Sequence, residues 1–222
     1  VQYFPLGEDK FSQMLTELEK AEKFIFLEYF IVAEGTMWGQ ILEILARKAA
    51  QGVEVRLMYD GACEFMLLPK GYPKMLKELG IQCKVFSPAT PFVSTHYNYR
   101  DHRKILVIDG HTAFTGGVNL SDEYINIGSR FGHWKDTAVM LKGKAVESLT
   151  LMFLQTWNMD EKAGEYTRYL QSPAVEATGF VMPYGDSPLD HVRLGQQVYM
   201  DILARAKRYV HIMTPYLILD QE

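Results

Sequence analysis

The segment from His102 to Asn119 constrains the fold of this chain more than any other part of its sequence. Lys104–Ile108 is a run rich in β-branched residues, which is typical of a buried strand. It ends at an Asp-Gly pair, and such a pair between two strand-like runs is a hairpin signal. The sequence therefore predicts a β-hairpin with strands Lys104–Ile108 and Thr112–Thr115.

His102 and Lys104 stand two residues apart where this hairpin begins. Side chains two apart on a strand project from the same face of the sheet. An imidazole is nucleophilic near neutral pH, and a fixed ammonium can hold phosphate oxygens as negative charge builds on them. The pair therefore predicts attack on a phosphodiester.

Helical and strand patterns alternate before this hairpin, which predicts a largely parallel sheet with helices on both faces. The hairpin adds an antiparallel pair. The expected fold class is therefore α/β, an α/β/α sandwich with a mixed, largely parallel central sheet. The predicted strands are 24–32, 53–59, 81–85, 104–108, 112–115 and 138–141, and the predicted helices are 11–21, 38–49, 72–79, 120–124 and 146–157.

The motif around His102 extends into a longer string, H-x-K-x4-D-x6-G-G-x-N. This string resembles the phospholipase D superfamily, whose signature is H-x-K-x4-D, and within it the bacterial cardiolipin synthases. The residues of the string are His102, Lys104, Asp109, Gly116, Gly117 and Asn119. Further blocks that resemble cardiolipin synthases follow the same order along the chain: 27–30, 57–60, 99–105, 116–124 and 134–137.

The resemblance implies a phospholipase D repeat in which His102 is the nucleophile and Lys104 and Asn119 bind the phosphate. For Asn119 a plain helix cap is the alternative. Asp136 matches an acidic residue that holds the second nitrogen of the nucleophilic histidine. A surface ion pair with Lys135 or Arg130 is its alternative.

Four further residues are candidates for the site. Asp109 belongs to the catalytic motif, but its place before a turn glycine predicts a structural role that braces the hairpin. Gly116 and Gly117 are expected to let the backbone approach the phosphate closely. Glu28 interrupts an apolar run and is a possible wall of the site. In the loop before the motif, Phe92, Tyr97 and Tyr99 are predicted either to contact lipid or to pack in the core.

Composition excludes several classes of protein. The net charge of −4 argues against a nucleic-acid partner, which usually requires a basic surface. Cys63 and Cys83 show no metal-like spacing and are predicted to be reduced and buried. No metal and no cofactor is expected, since the other histidines show no ligand spacing; these are His96, His111, His133, His191 and His211. No stretch is long enough for a membrane helix, so the chain is expected to be a soluble piece.

An internal repeat indicates how the chain is organised. The pattern of Leu18, Ala21 and Phe24 recurs in Leu203, Ala206 and Tyr209 at a constant offset of 185. The repeated pattern is a helix followed by a strand, and repeats of this length indicate duplicated domains. We expect a first phospholipase D-like domain at residues 1–172, with a polar linker over 158–173, and the start of a second, truncated domain at 173–222.

The resemblance implies transfer of a phosphatidyl group between two phosphatidylglycerol molecules through a phosphohistidine, with release of glycerol. The alternatives are a phospholipase D or nuclease that uses water as acceptor, and a non-catalytic membrane-associated module. The expected partners are phosphatidylglycerol or a related anionic phospholipid, a membrane surface, and a second phospholipase D-like half or a second copy of the chain. The expected location of the full-length protein is the cytoplasmic face of the bacterial cell membrane.

Overall fold

Strands and helices alternate along the first half of the chain, as the hydrophobic pattern predicts. The computed structural model describes residues 1–88, 100–128, 132–161, 166–173, 175–176, 179–186 and 192–216. The strands are β1 (Gln2–Phe4), β2 (Phe24–Tyr29), β3 (Glu54–Asp60), β4 (Gln82–Phe86), β5 (Lys104–Ile108), β6 (Thr112–Gly116) and β7 (Ala138–Lys142). The α-helices are α1 (Gly7–Leu18), α2 (Thr36–Ala50), α3 (Cys63–Met66), α4 (Tyr72–Glu78), α5 (Ala145–Trp157) and α6 (Leu194–Arg205), and 3-10 turns cover Asp122–Ile125 and Thr167–Tyr169.

The seven strands form one mixed sheet in the order β1-β7-β6-β5-β2-β3-β4. Only the pairs β2–β3 and β3–β4 are parallel, and the other four pairs are antiparallel. The expectation of a largely parallel sheet is therefore wrong, although the α/β class is confirmed. The helical crossovers before β4 produce parallel neighbours, whereas the tight turn between β5 and β6 produces antiparallel ones. The short strand β1 was not predicted, and it pairs antiparallel with β7.

Each face of the sheet is covered by helices and has its own apolar core. On one face, Leu27 and Leu106 pack with residues of α1 and α2, including Met14 and Trp38. On the other face, β2, β5 and β7 pack against α5, for example through Phe153. The three layers of the predicted sandwich are therefore present, and alternate residues of β2 and β5 point into different cores.

The chain divides into two compact units, Val1–Pro183 and Tyr184–Glu222. The predicted linker 158–173 falls within the first unit, where Tyr169 is buried and its ring packs edge-on against Phe24. In the second unit, α6 confirms the helix expected from the repeat. The strand expected after it is absent from the described residues 206–216, and a strand needs a partner strand for its backbone hydrogen bonds.

Both cysteines are free thiols: Cys63 is buried and Cys83 is half-buried. Within the described ranges, no helix is long and apolar enough to span a bilayer.

Candidate active site

The topology brings several chain segments to one edge of the sheet. β2 and β3 end at this edge, while β5 and β7, which run antiparallel to their neighbours β2 and β6, begin there. The carboxylate of Asp60, at the end of β3, fixes the approach to the motif. It accepts a hydrogen bond from Nη1 of Arg100 at 3.0 Å and one from the backbone N–H of Asp101 at 3.3 Å. These bonds place His102 at the rim of the sheet, immediately before β5.

His102 and Lys104 lie in direct contact, as their spacing predicts. Nζ of Lys104 is 3.1 Å from Nδ1 of His102 and donates to the His102 carbonyl oxygen at 2.6 Å. His102 is exposed, whereas Lys104 is buried behind it. The ring of Phe30 contacts both, with its centroid 4.8 Å from the imidazole centroid and 5.4 Å from Nζ of Lys104. An accessible imidazole is therefore held above a shielded ammonium.

The surroundings of His102 and Lys104 shift the pKa of each residue. Partial burial and the Lys104 ammonium lower the pKa of His102, against the opposing effects of Asp101, Asp136 and Asp60. The imidazole is therefore neutral at neutral pH, which is the form that can attack. Burial lowers the pKa of Lys104 to about 8, and the carboxylates of Asp101 and Asp136 limit the fall. Lys104 is consequently still mostly charged at pH 7.

Asp136 belongs to this charge cluster, since its carboxylate acts on both His102 and Lys104. Its Oδ1 accepts the backbone N–H of Thr137 at 2.7 Å. The carboxylate lies next to Gly117, where any Cβ would overlap it. Gly117 thus leaves free the space that the Asp136 carboxylate occupies. That Asp136 holds the second nitrogen of His102 stays a prediction.

The glycine pair and Asn119 make contacts within the protein. The N–H of Gly117 donates to the carbonyl of Thr137 at 2.9 Å, so that this N–H is not directed at a ligand. Asn119 is buried, its Oδ1 accepts the N–H of Ile31 at 3.0 Å, and its Nδ2 donates to the Tyr124 hydroxyl at 2.8 Å. These bonds brace the end of β2. Phosphate binding by Asn119, Gly116 or Gly117 stays a prediction, and for Asn119 it would use the second proton of Nδ2.

Asp109 lies at the other end of β5 from His102. Its carboxylate accepts three backbone N–H bonds at 2.7–2.8 Å, from Glu22, Lys23 and Phe24. Since a strand rises about 3.3 Å per residue, five residues separate Asp109 from Lys104 by roughly 16 Å. These bonds join the turn at Asp109 to the start of β2 and support the predicted structural role of Asp109, which stays a prediction.

Glu28 points away from the site. It is paired with Ile105 and lies on the α5 side of the sheet, whereas Lys104, paired with Tyr29, lies on the opposite side. Glu28 is fully buried, with Oε1 3.6 Å from Nη1 of Arg103. It therefore does not form a wall around the His102–Lys104 pair, because adjacent residues of a strand face opposite sides.

The sequence interpretation missed three residues of this region: Phe30, Tyr29 and Lys10. Lys10 is only 1% exposed, although it follows two acidic residues in what looks like a solvated helix start. Its position four residues before the buried Met14 is the signal that could have placed it on the inner face of α1. The loop residues Phe92, Tyr97 and Tyr99, and also Arg130, His96 and His191, lie outside the described residues. No group of three metal-ligating side chains is assembled within the described ranges.

Comparison with known families agrees with this geometry. The family model described as "Cardiolipin synthase, PLD-like domain" matches residues 14–157, which include β2 to β7 and the His102–Lys104 pair. This chain belongs to the cardiolipin synthase, PLD-like domain family. PLD stands for phospholipase D, so the superfamily resemblance of the motif is confirmed.

Individual relatives show how much of the family's length is present. A protein of Streptococcus mutans is 62% identical over the whole chain, which covers 49% of that protein. A cardiolipin synthase of Geobacillus kaustophilus is 38% identical over 97% of the chain, which covers 44% of it. The chain thus spans about half the length of these relatives. The solved structure of Nuc from Salmonella typhimurium, a phospholipase D family member, shares the fold with a TM-score of 0.50 at 19% identity, over 70% of this chain and 91% of that one.

Proposed function

We propose that this chain is the first catalytic half of an enzyme that joins two phosphatidylglycerol molecules into cardiolipin and glycerol. The observation that carries the proposal is the 3.1 Å contact between the exposed imidazole of His102 and the buried ammonium of Lys104. The substrate class belongs to the proposal, and the name of a relative at 38% identity, a cardiolipin synthase, supports it.

In the first step, Nε2 of His102 attacks the phosphorus of one phosphatidylglycerol. The P–N bond forms as the P–O bond to glycerol breaks, and the glycerol oxygen takes a proton from an acid in the second half of the protein. Without substrate, the charged Lys104 donates to Nδ1, which leaves the ring proton on Nε2. When a phosphate binds, the Lys104 ammonium donates to the phosphate oxygens and no longer to Nδ1. Nδ1 can then carry the ring proton. Nε2 then becomes the nucleophile, and Asp136 is the acceptor proposed for the proton on Nδ1.

In the second step, a hydroxyl of another phosphatidylglycerol attacks the phosphohistidine. The new P–O bond forms, the P–N bond breaks, and the second-half group that gave up its proton now accepts one from the hydroxyl. Lys104 remains near the phosphate oxygens through both steps and offsets the charge of the transition states. In this proposal the substrate is a membrane lipid, so the reaction takes place at a membrane surface.

The test compares two histidines on the same hairpin in the full-length protein. His102→Ala should abolish cardiolipin formation, measured by mass spectrometry with phosphatidylglycerol vesicles, because no other nucleophile replaces the imidazole. His111, at the far end of β5, is the matched control, and His111→Ala should keep the activity. A denaturing quench should trap lipid phosphate on the wild-type protein and not on His102→Ala.

The outcomes separate the candidate functions. Formation of phosphatidic acid without cardiolipin would show that the enzyme hydrolyses the lipid and does not transfer the phosphatidyl group. Hydrolysis is the second candidate function because His102 is exposed. Lipid binding without any turnover would indicate a non-catalytic module. Appreciable turnover by His102→Ala would assign the nucleophile to the second half.

A further inference from the structure

Glu28, near the end of β2, is a buried carboxyl without hydrogen bonds. It is fully buried, and neither of its oxygens has a hydrogen-bond partner among the residues that the structure describes. Burying a carboxyl in this way is costly, because the lost hydration is not replaced. A leucine at this position would continue the apolar run of β2 without that cost. An exception of this kind points to a role beyond packing.

Arg103, the residue after His102, carries the cation that faces Glu28. Its Nη1 lies 3.6 Å from Oε1 of Glu28 and donates to Oγ1 of Thr156 on α5 at 2.9 Å. The Thr156 hydroxyl donates its own proton to the Met152 carbonyl at 3.1 Å, which leaves its oxygen able to accept from Arg103. A single guanidinium therefore joins the end of β2 to α5.

The backbone of Arg103 extends these contacts to the other neighbour of His102. The Arg103 N–H donates to Oδ1 of Asp101 at 3.1 Å, and the N–H of Asp101 donates to Oδ2 of Asp60 at 3.3 Å. Asp101 is buried, whereas His102 is exposed and contacts Lys104. Both residues that flank His102 are thus held by the surrounding structure, while its imidazole stays accessible.

The helix that anchors Arg103 is part of the core on the α5 face. One turn before Thr156, the Phe153 ring stacks on Phe26 of β2 with centroids 4.7 Å apart, and Trp157 stacks on Phe153 at 5.5 Å. All three rings are buried. The position of Thr156 relative to β2 is therefore fixed by packing, and Arg103 ties the segment before β5 to that position.

We propose that Arg103 is a positioning residue, which together with Glu28 and Thr156 fixes the segment on both sides of His102. This fixed segment keeps the imidazole against Lys104. The carboxyl of Glu28 gives the guanidinium a partner on β2 that an apolar residue could not offer, and without it Arg103 would be held from α5 alone. The expected loss of rate rests on the proposed phosphohistidine chemistry, whereas the expected change in the titration of His102 does not depend on turnover.

The test uses Arg103→Met, Arg103→Lys and a matched control, Arg56→Met, in the full-length protein. Arg56 also pairs with a glutamate, Glu54, at 2.6 Å and donates to the Tyr169 hydroxyl at 2.9 Å, but it lies further from the site edge than Glu28. Arg103→Met should lower kcat about tenfold with KM nearly unchanged, because the imidazole is no longer held in place. Arg103→Lys should lose only about threefold, since an ammonium keeps the charge but not the fork of the guanidinium. Arg56→Met should leave the kcat of the folded enzyme unchanged.

Two further measurements distinguish positioning from a contribution to stability alone. The titration of His102 is followed by NMR of ¹³C-labelled histidine and assigned with His102→Ala. Partial burial and the Lys104 ammonium lower the pKa of His102. A looser segment should therefore raise that pKa toward its ordinary value in Arg103→Met and not in Arg56→Met. If Glu28 acts through Arg103, the double variant with Glu28→Met and Arg103→Met should lose no more rate than Arg103→Met alone.

An unshifted His102 titration in folded Arg103→Met would overturn the positioning role. In an active enzyme an unchanged kcat would do the same, and a raised KM beside it would assign Arg103 to lipid binding. Losses that multiply in the double variant would overturn the pairing of Glu28 with Arg103. Absence of lipid transfer by the wild type, with the His102 shift present in Arg103→Met, would reject the proposed function alone.

Discussion

At the scale of single residues, the pKa values of two buried glutamates are shifted in opposite directions. Glu17 is 2% exposed and Glu28 is fully buried. Burial raises the pKa of Glu17, but bonds to Lys20 at 2.8 Å and Lys142 at 3.0 Å outweigh it and hold that pKa below its usual value. For Glu28, burial and the Asp101 carboxylate raise the pKa well above its usual value, and Arg103 compensates only in part. Substitution by glutamine should therefore affect stability in opposite ways.

We expect Glu28→Gln to make stability less dependent on pH. The folded protein keeps the Glu28 proton above the pH at which the unfolded chain releases it, about 4.3, so that stability falls as the pH rises beyond that value. Glutamine removes this loss, and the variant should be at least as stable as the wild type at pH 7. Urea unfolding from pH 4 to pH 8 measures the difference. A steeper decline in the variant than in the wild type would show that Glu28 is ionised in the folded state.

Glu17→Gln is the control, and we expect it to change stability in the opposite direction. Its lowered pKa means that its ion pairs stabilise the protein above the unfolded pKa, and that this contribution disappears as the pH falls through the folded value. Because Lys20 and Lys142 are about half exposed, the loss at pH 7 should be only about 1 kcal/mol. The same unfolding series measures it. No loss at pH 7 would mean that the two ion pairs contribute nothing to stability.

Asp136→Asn is the matching prediction for the catalytic residues. The amide should lower kcat strongly, since it favours the wrong tautomer of His102. Asp136 raises the pKa of His102, so its removal should also move the acidic limb of the kcat/KM profile to lower pH. Asp122→Asn is the control, because that carboxylate caps α2 through Thr36 and Met37 at 2.9 and 2.7 Å. An Asp136→Asn enzyme with wild-type kcat and an unmoved limb would remove Asp136 from the site.

At the scale of secondary-structure elements, Asp109 joins the start of β2 to the end of β5. Asp109→Asn should lose at least the bond from the Glu22 N–H to Oδ2, which costs about 2 kcal/mol for a charged acceptor. The rate per folded molecule should stay near the wild-type value, since Asp109 is remote from His102. Urea unfolding combined with an activity assay on the folded fraction checks both. A large fall in kcat without a loss of stability would make Asp109 catalytic after all.

The elements also show what sequence reasoning can and cannot reach. The β5–β6 hairpin and the His102–Lys104 pair were predictable, because strand periodicity and turn chemistry are local. The excess of antiparallel strand pairs could not be predicted, because the pairing of β1 with β7 joins the first residues of the chain to residues far along the sequence. Glu28 was misplaced because a glutamate in a fully buried strand gives no sign of which face it occupies. Lys10 was missed because its burial depends on the tertiary contact of Gly7 with Tyr124.

At the scale of the whole molecule, the described part of the second unit contains the helix α6 and no strand. The range of α6 overlaps the helix expected from α1 by the offset of 185, and none of its residues is buried. Its exposed apolar side chains include Tyr199, Met200, Ile202 and Leu203. Apolar surface of this kind normally has a partner. We propose that the partner is the remainder of a second phospholipase D-like half, in keeping with relatives about twice as long as this chain.

Residues 1–222 alone should therefore be inactive as a monomer toward phosphatidylglycerol. The two-step chemistry needs a nucleophile on one side of the phosphate and an acid on the other, and this chain supplies only one His102–Lys104 pair. We expect the isolated chain to self-associate through α6, and Ile202→Asp should weaken that association while Gln196→Asp, a polar substitution on the same helix, leaves it intact. Sedimentation combined with the cardiolipin assay is the measurement. If activity appears only in a symmetric dimer, two copies of His102 face each other across the two-fold axis. Robust turnover by a proven monomer would show that one motif is enough, and the acid assigned to the second half would have to be found within this chain.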